Sequence, residues 1–509
     1  MGMVLLTERY ADRIRGVLTC FDRIIITGTL PDICHADAMA IHLRVKGVRL
    51  FDFARWAEPL RDEIRNHAER VAQDSGLQIE FVRKKNFRQE DRIKQILAER
   101  GTAPGLVHIF SALEPCLSFK PWHDKKTGRN FLKPDDGKCI HYYFYFIDEE
   151  LGLCYLRVPT WAPFRLQFYF NGHNALAVKL ARQGIAYQLV DNAFIDIADF
   201  PRAQVLADQI RVERLHRRLD RLARRFCPVL RHFPSGVHWS IHQAENATDI
   251  VFKRQNDLKP LYEALVRTAI HAVKAEDVAT FLGRVVRAGT TDEIGNHFST
   301  RIEGTRIRHQ MGPASIKMYD KFGLMIRIET TTYDVSFFRH YRQVEHRNGS
   351  AEMKYTTMKK TIYSLPALNE LTTAANHRYL KFLSTLDDPT SGTKALEKLS
   401  APVHDADRSW RGFNLFDAED LRLFEVLLHG EFNISGFRNR SLRRLLASKT
   451  APQVSRILKR LRCHGLVKKV AGNYKYHLTT LGRAVASLAL QLRTFLITPT
   501  LAQLAPARS

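Results

Sequence analysis

The sequence predicts a multidomain protein of combined α/β and α+β class, and three observations support this prediction. The chain of 509 residues is longer than one hydrophobic core usually organises. Its apolar content of 45% is typical of a folded protein. Strand and helix patterns alternate at the N-terminus, and mostly helical patterns follow towards the C-terminus. We therefore expect an N-terminal mixed α/β domain, a central α+β domain and a small C-terminal domain.

The N-terminal mixed α/β domain is predicted to span residues 1–200. Strands are expected at 22–30, 77–84, 105–113, 140–158, 164–170 and 185–190. Helices are expected at 53–76, 89–101 and 174–184. The first three strands are separated by helices, an order that indicates a largely parallel sheet. The segments 140–158 and 164–170 are typical of an antiparallel meander.

A basic connector helix is predicted at 201–231, and its apolar stripe indicates that one face packs against another element. The stripe consists of Val205, Val212, Leu215, Leu219 and Leu222. The opposite face carries arginines that include Arg217, Arg221 and Arg224. These arginines either contact phosphates or cover a solvated face.

The remaining boundaries follow from composition. An α+β domain is predicted at 232–386, with helices at about 257–287 and a charged β-hairpin at 314–334. Residues 387–412 are rich in turn formers and charge and predict a linker, and residues 491–509 form a tail. Sequence comparison within the chain shows no internal repeat.

The charge of the chain predicts a polyanionic ligand. Lysine and arginine number 78 against 53 acidic residues, which gives a net charge of +25 and a pI near 9.9. Such a protein usually binds nucleic acid, because neutralising phosphates releases counterions. The alternative is a basic soluble enzyme.

Seven scattered cysteines without a CxxC pair indicate reduced thiols, and neither a secretory signal nor a membrane span is predicted, so we expect a cytoplasmic protein.

The C-terminal domain, 413–490, shows a recognisable order of elements. Helical patterns at 417–430, 437–446 and 449–465 precede "LVKKVAGNYKYHLTTLGR" (466–483), which predicts strand, turn, strand and the start of a helix. This order resembles the winged helix-turn-helix of the MarR-like transcriptional regulators. The resemblance covers about 70 residues and lacks evident flanking dimerisation helices. It implies duplex DNA binding.

Charge supports DNA binding by this domain independently. Between Gly436 and Arg483 there are thirteen lysines and arginines and no acidic residue. The candidate DNA contacts are Gln453, Ser455, Arg456, Lys459 and Arg460 on the third helix, Arg443 and Arg444 on the second, and Lys468, Lys469, Asn473 and Lys475 on the wing. The alternative is a protein-interaction module.

The hairpin "ASIKMYDKFGLMIRIETTTYD" (314–334) carries candidate chemistry. Its S-x-K-x-Y-D-K spacing followed by R-x-E weakly resembles a motif of rolling-circle replication initiators. The resemblance implies a nucleophilic Tyr319, Asp320 and Glu329 as ligands of Mg²⁺ or Mn²⁺, and phosphate contacts by Lys321 and Arg327. The histidine-hydrophobe-histidine motif of those enzymes is absent, and "HWSIH" (238–242) has a different spacing.

Further phosphate contacts are expected on and near this hairpin, from Lys317, Arg306 and Arg308, with Glu303 beside them. Strand alternation places Lys317, Tyr319 and Lys321 on one face and Asp320 on the other. A cross-strand ladder of salt bridges explains the same residues, and we favour it, or phosphate contact, over catalysis.

Two further clusters are candidate sites. Cys116, His123, Cys139 and His141 offer zinc ligands, but their spacing fits no familiar zinc finger, so we favour a basic loop that contacts nucleic acid through Lys125 and Lys126. Asp22, Glu114, Asp148 and Asp191 lie at predicted strand ends, where nucleases of the ribonuclease H type gather acids around two metals. Lone acids at such positions more often cap or pair. No phosphate-binding glycine loop is present.

As a whole, the chain resembles a bacterial mobile-element-type protein family with a MarR-like C-terminal winged helix. Segments such as "FDRIIITGTLPDIC", "KPWHDKKTG", "YFNGHN" and "MGPASIKMYDKFGL" carry this resemblance. We therefore expect a DNA-binding protein associated with a mobile element or with replication, in which metal-dependent nuclease, transposase or initiator-type chemistry is an open question. The alternatives are a non-catalytic MarR-like regulator and a binder of structured RNA. A homodimer is compatible with each.

Overall fold

The computed structural model divides the chain into two compact units, Met1–Asp387 and Asp388–Ser509. It describes residues 4–83, 86–285, 294–301, 304–346, 348–386, 396–405, 408–470 and 474–504. The predicted Glu303 and Asn473 therefore lie outside the described residues. The first unit contains both of the domains predicted at 1–200 and 232–386.

The first unit is built on one eleven-stranded sheet in the order β10-β11-β12-β13-β9-β1-β6-β5-β4-β3-β2. The strands are β1 Ile14–Thr29, β2 Ile79–Phe81, β3 Gly105–Asp124, β4 Arg129–Asp148, β5 Gly152–Pro159, β6 Leu166–Asn171, β9 His238–Phe252, β10 Ile294–Arg301, β11 Gly304–Met311, β12 Ala314–Lys321 and β13 Met325–Thr332. Two small hairpins, β7 Tyr187–Val190 with β8 Ala193–Ile197 and β14 Arg339–Glu345 with β15 Ala351–Thr357, lie outside it.

The predicted largely parallel arrangement of the N-terminal strands is wrong. Every adjacent pair in the sheet is antiparallel except β2 and β3. The reason is that β1 lies beside β6 and β9, and the meander β3-β4-β5-β6 supplies the intervening strands. The meander predicted from 140–158 and 164–170 is confirmed as β4, β5 and β6.

Apart from the short strand β2, which only the first half contains, the sheet consists of two halves with the same order of elements. In each half a first strand, β1 or β9, is followed by helices and then by a four-stranded meander. The last strand of each meander, β6 or β13, pairs with the first strand of its own half. The halves meet where β1 and β9 pair. This repeat of topology has no counterpart that we detect in the sequence.

Helices cover both faces of the sheet. The helices of the first unit are α1 Leu6–Arg9, α2 Ala36–Val45, α3 Phe53–Asp74, α4 Gln89–Arg100, α5 Gly172–Arg182, α6 Phe200–Asp208, α7 Val212–Phe226, α8 Gln255–Ala272, α9 Ala275–Phe281 and α10 Leu365–Leu386. The main core joins the sheet to α2, α3 and α7 to α10. On the other face, α5 and α6 cover one patch and α4 covers a second patch.

The predicted connector helix at 201–231 is two helices, α6 and α7. Leu215, Leu219 and Leu222 of α7 are buried, which confirms the predicted apolar stripe there. Val205 in α6 is exposed, because the break between the helices changes the direction of the stripe. Arg217, Arg221 and Arg224 lie on the exposed face of α7.

The described residues of the second unit include a helical segment at 396–400, six further α-helices, a π-helical stretch Leu492–Ile497 that joins the last two of them, and two small hairpins. The helices are α11 Ala418–Leu427, α12 Gly430–Ser435, α13 Asn439–Leu445, α14 Ala451–Cys463, α15 Thr480–Gln491 and α16 Thr498–Leu504. The hairpins are β16 Val403–Asp405 with β17 Arg408–Trp410 and β18 Val467–Lys469 with β19 Tyr476–Leu478. A separate core that includes Phe424, Leu442, Val454 and Leu461 holds this unit together.

One helical segment, Thr480–Leu501, is long and apolar enough by length and composition to cross a membrane. It contains Arg483 and Arg493, and its residues Ala486 and Ala489 are buried in the core of the second unit. Helices of soluble proteins have these features too.

Gly172 allows α5 to begin against β1, and its replacement tests this packing. A Cβ atom at Gly172 would lie 2.0 Å from the carbonyl oxygen of Phe21. We expect Gly172→Ala to lower the free energy of unfolding by roughly 1–3 kcal/mol, because backbone must move. The control Gly137→Ala adds a Cβ at an ordinary 3.8 Å from its nearest neighbour. Equal stability of both variants in denaturant titrations would contradict this packing.

Candidate functional site

A β-bulge in β1 positions Asp22. Phe21 pairs with Asn246 of β9 and Arg23 pairs with Glu245, so Asp22 is an extra residue without a partner on β9. Bulges of this kind redirect side chains and occur often beside active sites.

The bulge also changes which residues of β1 face the main core. Before it, Phe21 packs in the main core while Cys20 faces α5 and α6. After it, Ile24 packs in the main core, so the alternation has shifted by one residue. As a result, both Asp22 and Arg23 line one cavity on the other face of the sheet.

Arg327 of β13 joins three strands at the centre of the sheet. Its side chain has no exposed surface. Its Nε and one Nη donate to the two carboxylate oxygens of Asp249, each at 2.6 Å, and its other Nη donates to Asp22 at 3.2 Å. A bidentate bond between arginine and carboxylate in a buried place is strong and fixes orientation. Arg327 was predicted to contact phosphate, and its burial makes that prediction wrong.

The two carboxylates around Arg327 are held ionised. Burial alone would raise their pKa values, but Arg327 and His173 outweigh burial and lower the pKa of Asp249 to about 2 and that of Asp22 still further. His173 lies 3.4 Å from each carboxylate. Burial would lower its pKa, but Cys20 and the two carboxylates raise it well above the ordinary value. Two buried anions are thus balanced by two cations.

The contacts of the hairpin confirm the prediction that Lys317 and Tyr319 lie on one face. The Glu329 carboxylate, 3% exposed, accepts from Lys317 at 2.7 Å and from the Tyr319 hydroxyl at 2.8 Å. Lys317 and Glu329 are directly opposite each other on β12 and β13, which is the ladder that we favoured. Burial and Glu329 raise the pKa of Tyr319 well above its ordinary value, so its phenol stays protonated.

The other predicted residues of this region differ in accessibility. Lys321 donates to the side-chain oxygen of Asn192, and burial lowers its pKa to about 8. Asp320 is half-buried and pairs with Ile326. Arg306 and Arg308 are half-buried on β11, where Arg308 is opposite Lys317. Of the predicted catalytic set, the structure brings Tyr319 and Glu329 together, and the strand alternation directs Asp320 elsewhere.

Three carboxylates form a potential metal site. Within the described part of the chain they are the one group of three potential ligands whose atoms all lie this near one another. Asp22, Glu245 and Glu329 each offer an oxygen, and these oxygens lie within 4.8 Å of one another. Glu245 accepts from the Gln243 amide at 3.0 Å and lies 3.9 Å from Lys317. Burial and the neighbouring Glu329 raise the pKa of Glu245. The sequence could not indicate Glu245, because no motif marks it.

Asp22 and Glu245 lie in a cavity of about 1020 Å³ between α4 and α5. Six carboxylates line it, from Asp22, Glu90, Asp148, Glu149, Asp191 and Glu245, against three cations, from Arg23, Lys94 and Arg182. Tyr145, Tyr155 and Tyr169 of three adjacent strands form one wall, and the rings of Tyr155 and Tyr169 are stacked at 5.0 Å. The cavity is therefore acidic within a strongly basic protein.

Of the four acids predicted at strand ends, three are not members of the group formed by Asp22, Glu245 and Glu329. Glu114 accepts from the Tyr143 hydroxyl at 2.7 Å, Asp148 pairs with Arg218, and Asp191 pairs with Lys94 at 2.7 Å. Asp148 and Asp191 line the same cavity as Asp22, but each is paired with a cation. The reading that we favoured, in which lone acids at strand ends cap or pair, therefore fits Glu114, Asp148 and Asp191 better than a gathering of the ribonuclease H type.

The four candidate zinc ligands do not come together. Residues 116–141, predicted as a loop, lie on the antiparallel strands β3 and β4. His123 pairs with Asn130 at one end, whereas Cys139 pairs with Glu114 nine positions away, roughly 30 Å along the strands. Cys116 does lie beside Cys139, whose pKa is lowered to about 5 by Cys116 and His141 against the effect of burial.

The predicted DNA-contacting face in the second unit is partly exposed. On α14, Val454, Leu458 and Leu461 are buried, and Gln453, Ser455 and Arg456 are exposed. Gln453 accepts from the Thr450 backbone at 2.6 Å and Ser455 accepts from Asn439 at 2.8 Å. Arg443, Arg444, Lys468 and Lys469 are exposed, and Lys475 is half-buried. Arg444 pairs with Glu431 at 2.6 Å.

Two predicted contacts of α14 have structural partners instead. Arg460 is buried, donates to both oxygens of Asp420 at 2.7 and 2.9 Å, and lies over the Phe413 ring at 3.8 Å. The prediction that Arg460 contacts DNA is therefore wrong, because its position on the helix faces α11. Lys459 pairs with Asp405.

No family model matches this chain, and no curated protein matches it either.

The buried ion pairs of Arg327 give a test of stability. Removing one partner leaves buried charges without compensation, which costs about 3–5 kcal/mol. We expect Arg327→Met to lower the free energy of unfolding by that amount, and Arg327→Met combined with Asp249→Asn to lose less than the sum of the single changes. Lys94→Met, which breaks a surface pair, is the control and should change little. If the double variant loses as much free energy of unfolding as the two single variants together, measured by chemical denaturation, the coupling between Arg327 and Asp249 is contradicted.

Proposed function

We propose that the protein binds nucleic acid, with duplex DNA as the ligand and the second unit as the binding module. The observation that carries this proposal is the exposed face of α14 beside β18. Arg456, Lys468 and Lys469 are exposed there, in the segment between Gly436 and Arg483 that has thirteen basic residues and no acidic one. Duplex DNA attracts such a surface through its phosphates.

The order of elements in the second unit supports a winged helix. The helices α11, α13 and α14 precede the hairpin β18–β19, and Phe437, just before α13, bridges to Tyr476 of β19. In such a fold the third helix enters the major groove, and the hairpin contacts the backbone beside it. On this proposal Gln453, Ser455 and Arg456 face the bases, and Lys468, Lys469 and Lys475 contact phosphates. An association with a mobile element or with replication rests on sequence resemblance.

DNA binding is tested by removing charge from the hairpin. Each lost phosphate contact reduces the slope of log K against log salt by about 0.9. We expect Lys468→Ala combined with Lys469→Ala to reduce that slope by about 1.8 and to weaken binding of duplex DNA, measured by fluorescence anisotropy at several salt concentrations.

The control removes two exposed charges elsewhere in the same unit, by Lys398→Ala combined with Arg422→Ala. It should leave the slope unchanged. Equal slopes for all three proteins would contradict the assignment. Tighter binding of structured RNA than of duplex DNA by the wild type would favour the RNA alternative.

Divalent-cation binding at Asp22, Glu245 and Glu329 is a second candidate function. The observation that favours it is the approach of three carboxylates beside a net acidic cavity, in a chain of net charge +25. Oxygen ligands suit Mg²⁺ and Mn²⁺ rather than zinc. A bound ion of this kind polarises phosphate oxygens and acidifies water.

The chain's own residues would assist such chemistry by placing charge. Lys317 holds the Glu329 carboxylate, and Arg327 and Asn192 hold that of Asp22, so the carboxylates have fixed orientations. Arg23, on the same side of the sheet, lies where it can pair with a phosphate in the cavity. A non-catalytic regulator, the alternative, needs none of these groups to bind DNA.

The cation site is tested by thermal denaturation with Mn²⁺. A ligand that binds the folded state raises the melting temperature as its concentration exceeds Kd. We expect Mn²⁺ to raise the melting temperature of the wild type and to leave the melting temperature of Glu245→Gln unchanged.

Asp191→Asn, in the same cavity but paired with Lys94, is the control and should keep the response. An equal Mn²⁺ response of Glu245→Gln and wild type would contradict the site. If Mn²⁺ binds, cleavage of supercoiled DNA by wild type and by Tyr319→Phe tests the strand-processing hypothesis directly.

A further inference from the structure

The strands β3 and β4 extend beyond the rest of the sheet as a two-stranded ribbon. β4 pairs with β5 only from His141 to Asp148, and β3 pairs with β2 only from Ile109 to Ser111. From Glu114 and Cys139 to the turn, the two strands pair only with each other within the described residues. These eleven residue pairs span roughly 35 Å. We name residues 114–139 the ribbon.

The ribbon has an anchored base and an exposed tip. The base extends as far as Phe119 and Leu132, which stand at the sixth and eighth of the eleven pairs and are buried in the main core, where Phe119 contacts the ring of Phe53. Ser118 accepts from the Trp161 indole at 2.8 Å. Beyond Leu132 the side chains become exposed, so the base is held by the core while residues 122–131 extend from it.

Positive charge is concentrated at the tip. Lys125, Lys126 and Arg129 are exposed around the turn. Asp124, the one acidic residue of the tip, accepts from the backbone of Lys126 at 2.9 Å and from the Thr127 hydroxyl at 2.6 Å. Its carboxylate therefore shapes the turn, and three cations remain for a polyanion.

An aromatic pair lies directly behind these cations. Trp122 and Phe131 are opposite each other on the two strands and are 45% and 38% exposed. The Lys133 ammonium lies 3.6 Å from the centre of the Trp122 ring and 5.6 Å from that of Phe131. Exposed rings that hold a cation on the surface combine stacking area with positive charge.

We propose that the tip of this ribbon is a second DNA-binding element, which enters the major groove of a duplex. The major groove, about 12 Å wide, admits a two-stranded β-ribbon. Lys125, Lys126 and Arg129 pair with phosphates, and Trp122 and Phe131 contact the edges of bases. This inference rests on the proposed DNA-binding function. The sequence predicted a basic loop that contacts nucleic acid through Lys125 and Lys126, and the inference replaces that loop with a β-ribbon that enters the major groove with Trp122 and Phe131.

A charge-removal experiment on the full-length protein tests the ribbon. We expect Lys125→Ala, Lys126→Ala and Arg129→Ala together to weaken duplex binding at least tenfold and to reduce the salt slope by about 2.7, since each phosphate contact contributes about 0.9. The matched control removes three exposed cations from other parts of the first unit, by Lys46→Ala, Arg55→Ala and Arg70→Ala. The control should keep wild-type affinity and slope.

A second variant separates the rings from the charges. Trp122→Ala with Phe131→Ala is expected to weaken duplex binding while leaving the salt slope unchanged, because no charge is lost. Circular dichroism and the melting temperature should match those of the wild type, since both rings are exposed.

The outcomes distinguish this inference from the function on which it rests. If wild type binds duplex DNA and Lys468→Ala with Lys469→Ala weakens binding, but both ribbon variants bind as the wild type does, the ribbon inference is wrong and the proposed function stands. If wild type binds no duplex DNA at low salt, the proposed function itself fails. Ribbon variants that lose binding only of single-stranded nucleic acid would also overturn the major-groove assignment.

Discussion

Arg327 is a guanidinium without exposed surface, and the centre of the large sheet is arranged around the two carboxylates that neutralise it. Asp249 lies on the neighbouring strand β9, and Asp22 lies one strand further, on β1. The ion pairs therefore connect the two halves of the sheet at the place where they meet. A buried charge network of this kind adds little net stability compared with apolar packing, but it is costly to break. The strand order around it has to be maintained for Arg327 to remain compensated.

The bulge at Asp22 belongs to the same arrangement. Without the extra residue, β1 would continue its alternation and Arg23 would point into the main core. With it, Asp22 and Arg23 face the cavity between α4 and α5, beside Glu245. The charged groups at the centre of the sheet form two parts that differ in their balance of charge. Around Arg327 the charges are balanced and ionised, whereas Glu245 and Glu329 share Lys317 and the pKa of Glu245 is raised. The acidic excess on which the proposed cation site rests lies in this second part.

Within the first unit the exposed basic surfaces and the concentrated carboxylates lie in different places. The excess of positive charge is exposed on α7, on the ribbon tip and on the second unit, where phosphates can reach it, and the central sheet holds the concentrated carboxylates. This separation is compatible with a protein that holds a nucleic acid through outer surfaces and brings a divalent cation to it in a cavity. If the two proposed DNA-binding elements reach the same duplex, they raise overall affinity, because the second contact becomes intramolecular.

The sequence by itself determined the local features whose causes are local. Alternation along 314–334 was sufficient to place Lys317, Tyr319 and Lys321 on one face, and the apolar spacing of α14 was sufficient to separate Val454 and Leu458 from Arg456. The tertiary structure decided what depends on partners distant in the chain. Arg327 and Arg460 have the same sequence signature as phosphate-binding arginines, yet each is buried against an aspartate, Asp249 or Asp420, that no local pattern identifies. The joining of the two halves into one sheet and the meeting of Asp22 with Glu245 and Glu329 likewise arise only when β1 and β9, more than two hundred residues apart in the chain, pair, since pairing between distant strands leaves no periodic signal in either one.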